Sequence, residues 1–410
     1  EHGVFELLAP STVSGSGRVF VDGVELTARV YSGSATIRLS VAVLNQTCTH
    51  GGVVRVADQT RLVISSDSSF CGEVRLEGPS AVLAFEGGQS MFVAGSNVSG
   101  SGRVEVIGSS TQVSVWSQLV SNSGGWRVEA NGSLVLHGGA RFSASTLIWL
   151  RDGSDSVVSV PSDGGAMWVQ VGNVTQSTGV LSVSGHLNSS GWYDGHGGSV
   201  NVADGAMWHG QQFVQRDASC SVNVMGSGVL RSQQQYSWSG GVWGGSGGGW
   251  RQFEGQGLRI LSGGGSKQLT AVNTDIELVA GTSEWQADDL DASLGSGRWH
   301  IRSGSELDVQ SGVKFEAWTS GSTAPVLSPW YVAVDGTYRA SQAVASGSHV
   351  QQAFVNVSCG GQLIVSQGVL TLEGGAEVCG NVSLEAASSE WRLEHGVFEL
   401  LAPSTVSGSG

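Results

Sequence analysis

The 410-residue sequence is poor in lysine, proline and charge. Lys267 and Lys314 are its only lysines, and the formal net charge is −14. Binding nucleic acid requires a clustered basic surface to neutralise phosphate, so nucleic acid is not expected as a partner. No run of about eighteen apolar residues occurs, so no segment is expected to insert in a membrane. Six prolines are too few for a collagen triple helix, and the 63 glycines follow no three-residue period. Hydrophobic residues reach 40% against 13% charged, which excludes a disordered chain. Runs of good helix formers are missing too. No phosphate loop, nucleophile elbow or His-Glu-x-x-His is present. Without Cys-x-x-Cys or paired histidines, zinc is not indicated, and no cofactor is expected.

What the chain does have is valine, glycine and serine in a recurring grammar. Val19-Phe-Val21-Asp-Gly, Val54-Arg-Val56-Ala-Asp, Val74-Arg-Leu76-Glu-Gly, Val104-Glu-Val106-Ile-Gly, Val200-Asn-Val202-Ala-Asp-Gly and Val222-Asn-Val224-Met-Gly each alternate apolar residues and then turn. Period two is a strand with one face in and one face out. Aligned on the second apolar residue, the series Val56, Leu76, Val106, Val128, Val160, Val183, Val202 and Val224 advances by 19 to 32 residues. Most steps match one coil of a solenoid, and the longer ones read as coils carrying an outward loop. Like side chains also return, as in Ala166-Met-Trp168 with Ala206-Met-Trp208, and Ser283-Glu-Trp285 with Ser389-Glu-Trp391. The expected fold is all-β, a parallel β-helix (β-solenoid) with coils of about 20–30 residues. The grammar weakens over 230–330, around the glycine-rich passage 239–250. Less regular coils of the same solenoid are expected there.

The first seventeen residues, Glu1–Gly17, recur unchanged as Glu394–Gly410. The duplication predicts that 1–393 is one repeat unit and 394–410 the start of an identical next one, continuous with it. The expected partners are therefore copies of the chain itself, joined end to end, covalently or as protomers.

These Val-x-Val-x-Gly coils resemble the right-handed parallel β-helix class, similar to pectin-lyase-like folds and to β-helical adhesins and surface filaments. The resemblance covers most of the chain and rests on pattern. It implies an extended extracellular shaft and, in some members, polysaccharide cleavage.

Seven of eleven asparagines lie in Asn-x-Ser/Thr: Asn45, Asn97, Asn131, Asn173, Asn188, Asn356 and Asn381. That excess points to N-linked sugar on exposed turns and a eukaryotic secretory route, with a flagellar or other surface hair as one setting. Cys48 and Cys71 are 23 residues apart and Cys359 and Cys379 are 20 apart, each about one coil, so disulfides are expected within each pair. Cys220 is left over, either buried or intermolecular.

Candidate catalytic groups are sparse. Asp288, Asp289 and Asp291 form the densest acidic group, without a basic partner beside them. Trp192-Tyr193-Asp194-Gly-His196 with Trp208-His209 is a candidate glycan-binding face on neighbouring coils. Trp116, Trp126, Trp149, Trp168, Trp208, Trp238, Trp243, Trp250 and Trp299 are expected as stacked rows inside the coil. The reading is a non-enzymatic, structural extracellular glycoprotein built from tandem units. An adhesin shaft with a glycan-binding face is the alternative, and a polysaccharide lyase or hydrolase the third.

Overall fold

The computed structural model describes residues 4–8, 12–14, 25–29, 35–40, 53–116, 119–151, 153, 155–162, 168–261, 267–270, 273–286, 290–291, 296–310, 314–316, 330–341 and 348–410. Among them there is no helix, and parallel strands stack as a β-solenoid of about 14 turns. The chain divides into two compact units, Glu1–Tyr193 with Gly198–Val200, and Asp194–Gly197 with Asn201–Gly410.

In the first unit, three parallel sheets enclose one interior. The first holds Val4–Leu8, Glu25–Arg29, Val53–Ala57, Glu73–Glu77, Asn97–Gly100 and Leu119–Asn122. The second carries Thr60–Ile64, Val82–Phe85, Arg103–Ile107, Trp126–Glu129 and Leu147–Leu150 in succession. The third carries Ser68–Phe70, Gly88–Phe92, Thr111–Val115 and Ser133–Leu136. Each strand pairs with the strand one coil later, so alternate residues form columns. Val54, Val74, Val98 and Val120 make one such column, and all four are buried. Burying a valine or leucine stabilises the fold by about 1.5–3 kcal/mol. Across the interior, Phe70 stacks on Phe92 at 4.8 Å and meets Phe85 edge-on at 5.9 Å.

The second unit repeats this plan. Val229–Trp238 pairs through its first half with Trp250–Phe253 and through its second half with Gly257–Ile260, so one long strand is matched by two shorter ones on the next coil. Described strands within 230–330 keep in-register partners, including Trp250–Phe253 with Thr274–Leu278 and Thr274–Leu278 with Gly297–Ile301.

The register corrects one expectation. Val56 and Leu76 are partners in the first sheet, Val106 and Val128 in the second, and Val160 and Val183 in the third. The long steps from Leu76 to Val106 and from Val128 to Val160 are therefore changes of sheet, not coils with loops. Leu76 pairs with Gly100, and Val128 with Leu150. All three sheets use the same apolar alternation, so periodicity alone does not separate them.

Aspartates at the turns after the strands have a stacking role. Asp58 Oδ1 accepts the Ser80 backbone N–H at 3.0 Å and Asp204 Oδ1 accepts that of Ser227 at 2.7 Å, each from the next coil. A Cβ on Gly78 would lie 2.3 Å from the Asp58 side chain, so the carboxylate requires glycine above it. Gly360 and Gly361 separate two effects. A Cβ on Gly361 would sit 2.1 Å from the Val334 carbonyl oxygen, while one on Gly360 would meet nothing within 4 Å. Gly361→Ala is expected to lower stability by about 1–3 kcal/mol. Gly360→Ala should be neutral or stabilise by about 0.4–1 kcal/mol through the unfolded chain. Denaturant titration of the two variants checks this, and equal effects would contradict the stacking.

Candidate functional site

Outward positions one coil apart form rows along each sheet, and these rows are the accessible chemistry of the lateral surface. Arginines on these rows pair with carboxylates on neighbouring coils. Arg55 Nη1 donates to Glu77 at 2.6 Å; Arg61 bonds Glu86 at 3.1 Å and also Glu105, which accepts from Arg103 Nε at 2.6 Å. Burial alone would raise the Glu105 carboxyl, but hydrogen bonds and charge from Arg103 and Arg61 outweigh it and hold the group below its ordinary value. In the second unit, the nearly buried Glu277 accepts from Arg302 and from Gln252 Nε2 at 2.8 Å. His300 Nε2 lies 2.7 Å from Asp335 Oδ2, and this hydrogen bond holds Asp335 below its usual range. Arg339 bonds Glu306 at 2.9 Å and Glu385 at 3.2 Å. Such rows neutralise one another across coils. Among the described residues, no cluster of three or more His, Cys, Asp or Glu could hold a metal ion.

Of the acidic group, Asp288 and Asp289 lie outside the described residues, and Asp291 falls in the two-residue strand Leu290–Asp291. The aromatic candidate face is broken up by alternation. Tyr193 is buried, its hydroxyl donating to Gln176 Oε1 at 2.9 Å, and Trp208 is buried against Phe213 at 4.7 Å. Trp192 is half-buried, and its backbone N–H donates to Asn173 Oδ1 at 3.0 Å. Asp194 binds Arg216 Nε at 2.6 Å and lies 3.3 Å from His196. His209 occupies an outward-facing, half-buried position on Met207–Gln215.

The tryptophans divide likewise. Trp126, Trp208, Trp238, Trp243 and Trp299 are interior, as are Trp285 and Trp330. Trp116, Trp149, Trp168 and Trp250 are not, which corrects for these four the expectation of stacked rows inside the coil. Trp149 alternates outward between the buried Ile148 and Leu150, with the Arg127 guanidinium 4.5 Å over its ring. Trp116 stacks on His137 at 3.6 Å, and Trp168 lies 5.1 Å from His186.

The sequons sit differently from the turn positions expected of them. Asn131 is at a turn with φ of 68°, but Asn97, Asn173, Asn188, Asn356 and Asn381 belong to strands. Asn381 is exposed, whereas Asn97 Oδ1 is buried without a hydrogen-bond partner. Asn45 and Cys48 lie outside the described residues. Cys71 is disulfide-bonded. Cys359 and Cys379 are bonded to each other with Cα atoms 4.4 Å apart. Cys220 is a buried thiol outside any disulfide.

Pattern reading missed the buried amides. Asn122 Nδ2 donates to the carbonyls of Gly102 and Gly125 at 3.2 and 3.0 Å, while its Oδ1 accepts Trp126 Nε1 at 3.0 Å. Gln215 Nε2 donates to Cys220 O at 3.0 Å, and its Oε1 accepts Tyr236 Oη and Trp243 Nε1 at 3.0 and 2.9 Å. Both sit at inward strand positions where the alternation calls for an apolar residue, and that break was the available signal.

No known family matches the sequence, and no curated protein does. A solved structure, the crystal structure of the TibC-catalyzed hyper-glycosylated TibA55-350 fragment, aligns at 14% identity. The alignment covers 97% of this chain and 100% of that one with a TM-score of 0.20, a likeness that carries no argument about function.

The ion rows set an acid limit. Glu105 and Glu73 titrate below their ordinary value of 4.5 in the folded chain, so their stabilisation is present above that value and is lost as pH falls through the lower folded value. Glu105→Gln is expected to cost about 1–3 kcal/mol at neutral pH and to flatten the acid limb of stability against pH. Urea midpoints measured from pH 7 down to 3 check both effects.

Proposed function

We propose that this chain is a structural, non-enzymatic extracellular glycoprotein, a unit of a tandemly repeated β-solenoid that serves as a shaft or filament. The observation that carries the reading is the parallel, in-register pairing of each strand with the strand one coil away. This pairing occupies strand edges along the winding and leaves them open only at its ends, so added coils lengthen the object without broadening it. The duplicated Glu1–Gly17 and Glu394–Gly410 supply the tandem element, and the Cys359–Cys379 disulfide suits an oxidising compartment. On the outward rows Glu86, Glu105 and Glu306 are neutralised by arginine. That arrangement favours a structural role over polysaccharide cleavage.

The adhesin reading has its own support in the outward pairs Trp116–His137 and Trp168–His186, and in Trp149 beneath Arg127. Flat aromatic rings at a surface can stack on sugar rings. Glycan-array binding that is abolished by Trp116→Ala would move the assignment to that reading.

Two measurements test the structural proposal. Oriented fibres should give a meridional reflection at about 4.8 Å, the strand spacing laid along the fibre axis; its absence would remove the shaft. Glycopeptide mass spectrometry of secreted protein should find sugar on Asn381, which is exposed. Unmodified Asn381 would count against the glycoprotein assignment.

A further inference from the structure

Glutamine gathers in one stretch of the second unit, at Gln211, Gln212, Gln233, Gln234, Gln235 and Gln256. The register brings these positions together. Gly210 pairs with Ser232 and Gln212 with Gln235, so the single residue Gln211 stands opposite both Gln233 and Gln234. On the next coil Ser232 pairs with Phe253 and Gln235 with Gly257, so those two stand opposite Glu254, Gly255 and Gln256. One residue, then two, then three occupy the same corner of successive coils, and the backbone bulges there. A depression of about 190 Å³ lies at this corner, lined by Gln212, Gln234, Gln235, Gly255 and Gln256.

We infer that this depression is a binding site for one ring of an uncharged saccharide. The inference stands apart from the shaft reading and from the outward aromatic pairs, since it assigns a different place on the chain and a ligand held by amides.

Three observations select this ligand chemistry. The first is the state of the amides. The side chains of Gln212, Gln234, Gln235 and Gln256 form no hydrogen bond with another described residue. The main chain at the corner is paired, with Gln256 N–H donating to Gln234 O at 2.6 Å and Gly257 N–H to Glu254 O at 2.9 Å. Each amide holds N–H donors beside a carbonyl acceptor, the complement of neighbouring sugar hydroxyls, which both donate and accept. The second is charge. No ionised group lines the depression, and the adjacent Arg231 and Glu254 bond each other. A charged ligand would be desolvated there without a counter-charge. The third is the floor. Gly255 has a φ of 63°, and a Cβ on it would come within 2.7 Å of the Gln233 carbonyl oxygen and 2.9 Å of that of Gln234. Inside the same coils, Phe213 stacks on Tyr236 at 5.5 Å and Tyr236 meets Phe253 edge-on at 5.3 Å. The amides therefore project from a packed backbone. Sites for drug-sized ligands span ~300–1,000 Å³, so this smaller volume suits a single ring.

Saturation-transfer NMR of the 410-residue chain tests the site, with glucose, galactose, mannose, galacturonic acid, glucosamine and an end-blocked Gly-Ser peptide as probes. The expected result is transfer to at least one neutral sugar, with the charged sugars and the peptide weaker. Gln234→Ala combined with Gln256→Ala should weaken that binding about ten-fold or more and leave the unfolding midpoint in place, because neither side chain is bonded within the described fold. Gln234→Glu keeps the side chain's size, removes its N–H donors and should also lower affinity, so the test stays decisive if the alanine pair fails to fold. Transfer to no neutral sugar, a preference for galacturonic acid or the peptide, or full binding by these variants would overturn the inference. Binding that survives the alanine pair but is lost in Trp116→Ala would overturn it too, while supporting the adhesin reading. None of these outcomes bears on the shaft, which the fibre reflection tests.

Discussion

The structure depends on one interaction, the parallel backbone hydrogen bond from a strand to its neighbour one coil away. It satisfies the peptide groups of each strand without a hairpin, and it forces residues about twenty positions apart into the same column. Val54 above Val74 above Val98 is a consequence of that geometry, and so is Glu77 beside Arg55. Once columns exist, interior positions must be apolar in coil after coil, while outward ones are stable when charges alternate between neighbours. The low charge content and the near absence of lysine fit this arrangement. Arginine offers a planar fork that can bond carboxylates on two coils at once, as Arg61 does with Glu86 and Glu105.

Much of this was legible in the sequence because a strand has a short period and a coil a nearly constant length. The alternation around Val54, Val104, Val200 and Val222 identified inward residues correctly. The one-coil spacing of Cys359 and Cys379 corresponds to residues held 4.4 Å apart. What was not legible was which of three sheets a strand occupies, because Val56, Val106 and Val160 carry identical local patterns. The orientation of tryptophan was also hidden. Trp126 and Trp149 sit in similar-looking segments, but alternation turns one to Asn122 in the core and the other to Arg127 outside. Hydrophobicity alone predicts burial for both, whereas pleat parity decides it.

The polar interior departs most from the rule. Arg251 stands in an inward column between Leu230 and Ile276, fully buried, and burial pushes its guanidinium down to about 10. Nη2 donates to the carbonyls of Val222 and Gly244, and the group lies 5.5 Å from the Trp243 ring, while Nε and Nη1 have no hydrogen-bond partner. Desolvating such a cation costs several kcal/mol, and two carbonyls with one aromatic face recover only part of it. A residue so placed does not serve stability in the way its apolar neighbours do.

Its value becomes intelligible from the weakness of like-on-like stacking. When successive coils present nearly the same side chains, sliding one winding against the next by a whole coil exchanges valine for valine and carries little penalty. Side-chain columns alone therefore specify register poorly. Asn122, Gln215 and Arg251 remove that degeneracy, because each is tied to a neighbouring coil, Asn122 to the Gly102 carbonyl, Gln215 to Tyr236 and Trp243, and Arg251 to the Val222 carbonyl, and would lose those buried bonds in any other alignment. Gln176 does the same with the carbonyls of Gly179 and Ser199. The repeating columns thus supply most of the stabilisation, and the few residues that break the repeat select one alignment of coils from many that would otherwise be nearly equal.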